Sequence, residues 1–417
     1  MPRCTRRAVL RTLGLAATAG VAGCLAAPRS DPDPIDDGRP ASTAAATQFR
    51  GGLQRLGVAP DATVPMDPVV EWVRRDLNTG EHTAAKASPV PTPDGDIVVP
   101  GDAGELWRLT PEGDRVWTAA VAEAARGIHG TPAIANGTVY VGAYDGALYA
   151  VDLATGEQFW RRRLGDAIGS SPGYRDGVVY IAVEYDDPSG AMFGVDAVTG
   201  DVVWEDRRPT DHPHSTCAID RDAGRLVVGA NDGVLYAWTY PEPAFEWSVE
   251  TGGAIKGPIA TFGGSAFFGS WDGSIYRVDL DDGTVEWAVD TEDMVMSGPA
   301  VDPETGTVYV GSHDSRLYAL DAETGTRRWT FDTGGRITGC PTVAGDLLLV
   351  GSYDRSCYAV ETRTGEAVWA VDGVGHVTSS PAVVDGAVYF ADRASATHLS
   401  DEDGPTGGVY KVAAADR

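Results

Sequence analysis

The sequence predicts an all-β protein, an eight-bladed β-propeller made of four-stranded antiparallel blades. Tryptophan recurs at spacings of 40 to 45 residues along most of the chain, a period typical of one propeller blade. The stretches Val139–Trp160, Val308–Trp329 and Leu348–Trp369 have closely similar sequences. Each repeat ends on a tryptophan that marks the fourth strand of a blade. These residues are Trp72, Trp117, Trp160, Trp204, Trp247, Trp287, Trp329 and Trp369.

One repeat shows how the strands are predicted. Val139–Val141 alternates like a half-buried strand, and Asp145-Gly146 is expected to form a two-residue hairpin turn with positive φ angles. Leu148–Val151 is the third strand. The turn Asp152–Gly156 offers side-chain oxygens to nearby amides and a glycine for the left-handed conformation. Trp160 then lies on the fourth strand, where its ring can fill the wedge between adjacent blades.

The two ends of the chain complement each other. Trp72 lies on a strand with no blade of its own, whereas the chain after Trp369 contains three further strands and no tryptophan. We therefore expect the Trp72 strand to complete the last blade, which joins the ends of the chain and removes exposed sheet edges.

The repeat resembles the pyrroloquinoline-quinone-like (PQQ-like) propeller family. The resemblance is carried by Ala322-Glu323-Thr324-Gly325 followed by Trp329, and by Gln48-Phe49-Arg50-Gly51, which is similar to a lead-in segment before the first blade. It covers roughly residues 48–417. The family includes outer-membrane assembly lipoproteins B and quinoprotein dehydrogenases, so the resemblance implies a fold more strongly than a function.

The N-terminus has the features of an export signal. Arg6 and Arg7 fit the twin-arginine pattern, and a short apolar stretch leads to Cys24, which is similar to the lipidated cysteine of a lipoprotein cleavage box. The alternative is an uncleaved anchor with a chance cysteine. The predicted organisation is a signal peptide over residues 1–23, an acidic, proline-rich disordered tether over 24–47 and the propeller over 48–417.

The composition is strongly acidic. The net charge is −27, and only 3 of the 33 basic residues are lysines. Such a surface suits a protein in high salt; the alternative is an ordinary acidic secreted protein. Nucleic-acid binding is not expected, because phosphate backbones require a basic surface. The cysteines Cys217, Cys340 and Cys357 match neither a disulfide framework nor a zinc pattern, and we predict no metal site.

One group of side chains suggests a binding site. When the blades are aligned on the proline of the first strand, an apolar residue lies four positions earlier, as at Ile128 and Ile337. Basic residues lie around it, near one end of the predicted channel. We expect these residues to line a channel mouth that binds an anionic ligand or an acidic peptide; the alternative is a chance cluster on exposed loops. The candidates are Lys86, Arg126, His129, His212, His214, Lys256, Arg336 and His376.

Three further features carry no assigned role. The stretches Glu184–Ala191 and Arg393–Gly407 exceed the repeat length, and Asn136 stands in a glycosylation sequon.

The function predicted from these features is binding rather than catalysis. We expect a monomeric propeller, lipid-anchored to the outer face of the cytoplasmic membrane, that binds an unidentified protein or anionic ligand without a cofactor. The alternative is a divergent quinone-dependent dehydrogenase using pyrroloquinoline quinone and calcium. The quinoprotein resemblance implies an adjacent cysteine pair, carboxylate and amide ligands for calcium and a catalytic aspartate. The chain has no adjacent cysteines, which favours binding and leaves enzymatic activity unassigned.

Overall fold

Short alternating apolar segments separated by glycine turns form strands throughout the chain. The computed structural model describes residues 46–78, 87–122, 127–393 and 407–415. These residues form β-strands and a single 3-10 turn at Phe49–Gly51, and among them no helix has the length and apolar character needed to cross a membrane. The signal peptide, Cys24 and most of the predicted tether lie outside the described residues.

The strands group into eight separate sheets. In chain order they are β1 (Val58–Ala59), β2 (Pro68–Asn78), β3 (Val90–Pro91), β4 (Ile97–Pro100), β5 (Glu105–Leu109), β6 (Arg115–Ala120), β7 (Ala133–Ala135), β8 (Thr138–Gly142), β9 (Ala147–Asp152), β10 (Gln158–Arg163), β11 (Gly173–Arg175), β12 (Val178–Glu184), β13 (Gly190–Asp196), β14 (Val202–Asp206), β15 (Ala218–Asp220), β16 (Arg225–Gly229), β17 (Val234–Thr239), β18 (Phe245–Glu250), β19 (Ala260–Phe262), β20 (Ser265–Gly269), β21 (Ser274–Asp279), β22 (Val285–Asp290), β23 (Ala300–Asp302), β24 (Thr307–Gly311), β25 (Arg316–Asp321), β26 (Arg327–Asp332), β27 (Thr342–Ala344), β28 (Leu347–Gly351), β29 (Ser356–Glu361), β30 (Ala367–Asp372), β31 (His376–Val377), β32 (Ala382–Val384), β33 (Ala387–Arg393) and β34 (Gly407–Ala414).

Each sheet contains one propeller blade, and β1 and β31 each add a strand to one of these sheets. Blades 1 to 7 consist of β3–β6, β7–β10, β11–β14, β15–β18, β19–β22, β23–β26 and β27–β30, each an antiparallel meander with its shortest strand innermost. Blade 8 consists of β32, β33, β34 and β2. The eight four-stranded blades form a closed ring, so the predicted propeller is confirmed.

The predicted closure is also confirmed. Strand β2, which carries Trp72, pairs antiparallel with β34, with Trp72 opposite Lys411 and Val73 opposite Tyr410. The Lys411 ammonium lies 3.0 Å from the Glu71 carboxylate across this seam. The first and last parts of the propeller therefore share one sheet.

The fourth-strand tryptophans join neighbouring blades. The indole N–H of Trp117 donates to the carbonyl of Leu153 in the next blade, at 2.9 Å. A Cβ on Gly156, whose φ is +78°, would lie 2.9 Å from the Trp117 ring, so this turn needs a glycine for both its conformation and its packing. The same docking occurs at Trp72, Trp160, Trp247, Trp287 and Trp329.

The predicted two-residue turn at Asp145-Gly146 is wrong. Only Gly146 has a positive φ, and the turn spans Ala143–Gly146. The Asp145 carboxylate accepts hydrogen bonds from the Ala147 amide and the Tyr149 hydroxyl, so it shapes a longer turn. Residues with positive φ at both positions occur instead in the innermost hairpins, as at Asn136-Gly137.

The insertion at Glu184–Ala191 is a short loop with strand residues at both ends. Its ends extend β12 and β13, with Glu184 opposite Gly190. Most of the insertion Arg393–Gly407 lies outside the described residues.

Residues 46–59, here called the plug segment, cross one end of the central channel. Their backbone runs beside the inner strands of successive blades and exchanges hydrogen bonds with them. The Arg50 guanidinium donates to the carbonyls of Pro299 and Pro341, in blades 6 and 7. The Arg55 guanidinium donates to those of Pro172 and Cys217, in blades 3 and 4. The two arginines of the plug segment thus connect blades 3, 4, 6 and 7 from inside the ring.

Candidate functional site

The channel mouth opposite the plug segment is built by the segments that connect successive blades. In the connecting segments that carry a predicted apolar residue, this residue is fully buried, as at Ile128, Val295 and Ile337. Ile337 packs onto the last residue of β24, where a Cβ added to Gly311 would lie 2.2 Å from its Cγ2 atom. This packing fixes the backbone, so the polar residues beside the apolar one are held at the mouth.

A second set of mouth residues comes from the turns between the second and third strands. The amide of Tyr353 donates to the carbonyl of Arg336 at 3.0 Å, and the amide of Trp271 donates to that of Ala254 at 2.9 Å. The same bond recurs in other blades, so each turn places one side chain beside a connecting segment. The residues with this bond are Tyr144, Glu184, Asn231, Trp271, His313 and Tyr353.

Sequence reasoning missed this second set, although a signal was present. In the repeated Gly-Ser-x-Asp text the position x holds Trp271, His313 and Tyr353. The residue at this position varies while the rest of the turn is repeated. The turn therefore does not require a particular side chain at this position.

The structure brings three of the predicted residues together. His129, His214 and Lys256 line one cavity of about 50 Å³, and Phe49 of the plug segment also lines it. His212 is turned away, with its Nε2 atom 2.8 Å from the carbonyl oxygen of Tyr185.

The remaining predicted residues divide into two groups. Arg336 and His376 both contact the ring of Tyr353 instead of lining this cavity. Lys86 and Arg126 lie outside the described residues.

One part of the mouth is a hydrogen-bonded carboxylate–imidazole pair. The Nδ1 atom of His214 lies 2.8 Å from the Glu184 carboxylate and 3.3 Å from the Tyr144 hydroxyl, and the Tyr144 ring lies 4.0 Å from that of His129. Burial alone would raise the pKa of Glu184, but the hydrogen bond and charge of His214 outweigh it and hold that pKa below its usual value. The pair is therefore suited to an ionised carboxylate.

This pair predicts a pH-dependent contribution to stability. Because the folded-state pKa of Glu184 is depressed, the stabilisation is present above the unfolded pKa, near 4.5, and is lost as pH falls through the folded pKa. Glu184→Gln should lower the free energy of unfolding by about 2 kcal/mol at pH 7, and the difference from wild type should shrink below about pH 4. Denaturant unfolding at several pH values measures it. Glu250→Gln on the outer strand β18 is the control, and an equal loss there would contradict the assignment.

Another part of the mouth combines cations with aromatic rings. The Lys256 ammonium lies 4.0 Å from the centroid of the Trp271 ring. Burial lowers the pKa of Lys256, and the negative charges of Glu184 and Asp211 offset only part of this effect. The guanidinium of Arg336 lies 4.0 Å from the ring centroid of Tyr353. Aromatic rings hold cations at these distances, and such pairs suit contact with a partner surface.

The channel mouth does not fit a quinone cofactor with calcium. The cavity of about 50 Å³ above Phe49 is far smaller than the roughly 300 Å³ or more of small-molecule sites. No group of three His, Cys, Asp or Glu side chains in the described ranges is arranged to hold a metal ion. Cys217 and Cys340 are buried, unpaired thiols on different blades.

A ring of four-stranded blades in which tryptophans dock on glycine turns is a PQQ-like propeller. A family model described as outer membrane protein assembly factor BamB matches residues 102–220, 215–302 and 271–417. These matches span residues 102–417, which is 316 of the 417 residues. The chain belongs to this family.

Curated relatives resemble parts of the chain. Outer membrane protein assembly factor BamB of Escherichia coli (strain K12) is 27% identical over 195 residues, 44% of this chain and 47% of the relative. A 1-butanol dehydrogenase (cytochrome c) of Thauera butanivorans is 26% identical over 174 residues, 37% of this chain and 24% of the relative. The chain thus spans less than half the length of either relative.

Solved structures share the fold. The quinohemoprotein alcohol dehydrogenase from Comamonas testosteroni superimposes with a TM-score of 0.71 at 16% identity, covering 89% of this chain and 81% of that one. BamB from Moraxella catarrhalis superimposes with a TM-score of 0.60 at 17% identity, covering 82% and 100%. At these identities the likeness shows the fold alone.

Proposed function

We propose that this propeller is an exported, membrane-tethered scaffold that binds a partner protein at its channel mouth. The observation that carries the proposal is the set of aromatic and cationic side chains at this mouth, which includes Trp271 with Lys256 and Tyr353 with Arg336. Interface hot spots are rich in tryptophan, tyrosine and arginine. The relatives named as outer membrane protein assembly factors support a role beside other proteins rather than in catalysis.

The shape of the mouth supports a macromolecular partner. The cavity inside it is small, while Trp271 is exposed over 36% of its surface. A small cavity beside an exposed tryptophan suits a protein segment better than an enclosed small molecule.

The proposed location is the outer face of the cytoplasmic membrane, with lipidated Cys24 as the anchor. The twin-arginine pattern, the apolar stretch and the cysteine box in the sequence support it. The acidic surface, at a net charge of −27, would repel other acidic surfaces and leave the cationic mouth as a favourable contact for a negatively charged partner.

Photocrosslinking of the full chain in the organism that encodes it tests the proposal. A photoreactive residue replaces Trp271 at the mouth or, as the control, Val203, which is 58% exposed on the outer strand of blade 3. We expect one discrete crosslinked partner from position 271 and none from position 203. Adding Lys256→Ala should reduce the yield several-fold, because a desolvated cation of the interface is lost.

The same cells test the tether. Cys24→Ser should move the protein from the membrane fraction to the soluble fraction.

In the crosslinking experiment, no discrete product at position 271, or equal products at positions 271 and 203, would contradict the scaffold.

A further inference from the structure

We propose that Arg336, Arg393 and His376, grouped around the ring of Tyr353, form a subsite for the carboxylates of an acidic peptide. The inference rests on the proposed function, since the peptide is taken to be part of the protein that docks on the mouth. It assigns one chemical group of that partner to one cluster of this chain.

Four structural elements contribute side chains to the cluster at the Tyr353 ring. The Arg336 guanidinium lies 4.0 Å and the Arg393 guanidinium 4.6 Å from the Tyr353 ring centroid. The imidazole of His376 stacks on the same ring at 4.5 Å with an interplanar angle of 18°. Tyr353 comes from the β28–β29 turn, Arg336 from the segment between blades 6 and 7, His376 from β31 and Arg393 from the end of β33.

Backbone hydrogen bonds hold these elements in place. The amide of Tyr353 donates to the Arg336 carbonyl at 3.0 Å, and the amide of Val377 donates to the Ser352 carbonyl at 3.1 Å. The ring of His376 reaches the Tyr353 carbonyl through its Nδ1 atom, and β31 pairs with β33 so that His376 lies opposite Arg393. The cluster is therefore organised before a ligand arrives, which lowers the entropy cost of binding.

Two acids adjacent in sequence to the cluster, Asp354 and Asp392, accept hydrogen bonds from other groups. The Asp354 side chain accepts bonds from the Gly334 and Ser356 amides and from the Tyr358 hydroxyl. The buried Asp392 side chain accepts bonds from the Gly375 and Gly408 amides and from the Tyr410 hydroxyl. Both acids therefore stabilise their own turns and strands.

Arg336 differs from Arg316, which lies on the third strand of the neighbouring blade 6. Within the described ranges, no carboxylate lies within ion-pair distance of Arg336. In blade 6, by contrast, Arg316 pairs with Glu292 and Asp332. Arg336 at the mouth thus keeps N–H groups for a ligand, whereas Arg316 is neutralised within the fold.

The electrostatics of the cluster favour an anion. Burial, together with the like charge of Arg336, lowers the pKa of Arg393 to about 10. An approaching carboxylate would add the opposite charge beside these two guanidiniums. Guanidiniums present planar pairs of donors that match a carboxylate.

Peptide binding to the purified full chain tests the subsite. The probe is a labelled six-residue peptide, blocked at both ends, with two glutamates; the comparison peptide has glutamines in their place. We expect the glutamate peptide to bind in about 0.1 M salt and to weaken as salt rises, because the contacts are ionic. Arg336→Gln should weaken it about tenfold, as loss of a charge-assisted pair does, and Arg393→Gln should do the same.

Arg115→Gln is the matched control. Arg115 also lies over an aromatic ring, at 5.0 Å from the Trp107 centroid, but on the outer strand of blade 1, and its loss should leave the affinity unchanged. Unfolding curves of Arg336→Gln matching wild type show that the fold is intact. Equal binding of the two peptides, or equal loss from Arg115→Gln, would overturn the subsite. Binding of inorganic phosphate without binding of the glutamate peptide would overturn the peptide as its ligand.

The outcomes separate the subsite from the scaffold. If crosslinking from position 271 persists unchanged in Arg336→Gln/Arg393→Gln, the partner docks without this subsite and the inference is wrong while the scaffold stands. If the glutamate peptide binds through Arg336 but position 271 captures no partner, the subsite stands and the scaffold is wrong.

Discussion

Replacing Arg50 or Arg55 with alanine is expected to lower the free energy of unfolding by about 3 kcal/mol or more. Both guanidiniums are buried, and burial lowers the pKa of each below its usual value. Each donates three hydrogen bonds to backbone carbonyls. Their removal leaves those carbonyls unsatisfied inside the channel, where each costs about 1–3 kcal/mol.

The geometry of these bonds explains why the loss should exceed that of an ordinary buried side chain. Arg50 joins blades 6 and 7, while Arg55 joins blades 3 and 4. A lysine has a single nitrogen and cannot reproduce the spread of a guanidinium. Arg50→Lys should therefore recover little of the stability.

Equilibrium unfolding in denaturant, followed by tryptophan fluorescence, measures the effect. Arg115→Ala is the control, because Arg115 is exposed on an outer strand and its loss should change stability by less than about 0.5 kcal/mol. If Arg50→Ala behaves like Arg115→Ala, the plug segment does not brace the ring.

The repeated sequence pattern made the fold predictable, but it could not predict the contacts of the plug segment. The tryptophan spacing fixes the number of blades, and the unmatched Trp72 strand indicates the seam, because both follow from local patterns repeated many times. The plug segment occurs once. Its motif at Gln48–Gly51 was noticed, but its bonds join residues far apart in sequence, as from Arg50 to Pro341, and no periodicity encodes such contacts.

The mouth was predictable in part for the same reason. Alignment on the first-strand proline placed His129, His214 and Lys256 near one another, since equivalent positions of a closed ring share one end. It did not anticipate Tyr353, which lies in a different turn and collects Arg336 and His376 around its ring. Packing between turns and connecting segments is tertiary, so alignment of one strand position could not show it.

A disulfide across the seam should stabilise the propeller more than one inside a blade. Val69 and Ala413 are paired residues of β2 and β34, and Val69 is 44% exposed, so Val69→Cys/Ala413→Cys disturbs little packing. The bond would close a loop of 344 residues, from 69 to 413. In the chain-entropy account such a loop contributes about 6 kcal/mol, against about 3 kcal/mol for a loop near 15 residues.

The control is the same crosslink placed within blade 4. Val234 and Glu250 are partners of β17 and β18, so Val234→Cys/Glu250→Cys closes a loop of 16 residues. Each variant is unfolded oxidised and reduced, and the difference isolates the contribution of the bond. If blade 8 is the weakest joint, because its strands come from both ends of the chain, the seam crosslink should also slow unfolding more than the blade 4 crosslink does. Equal gains from the two bonds would mean that the ring opens elsewhere and that the pairing of β2 with β34 does not limit its stability.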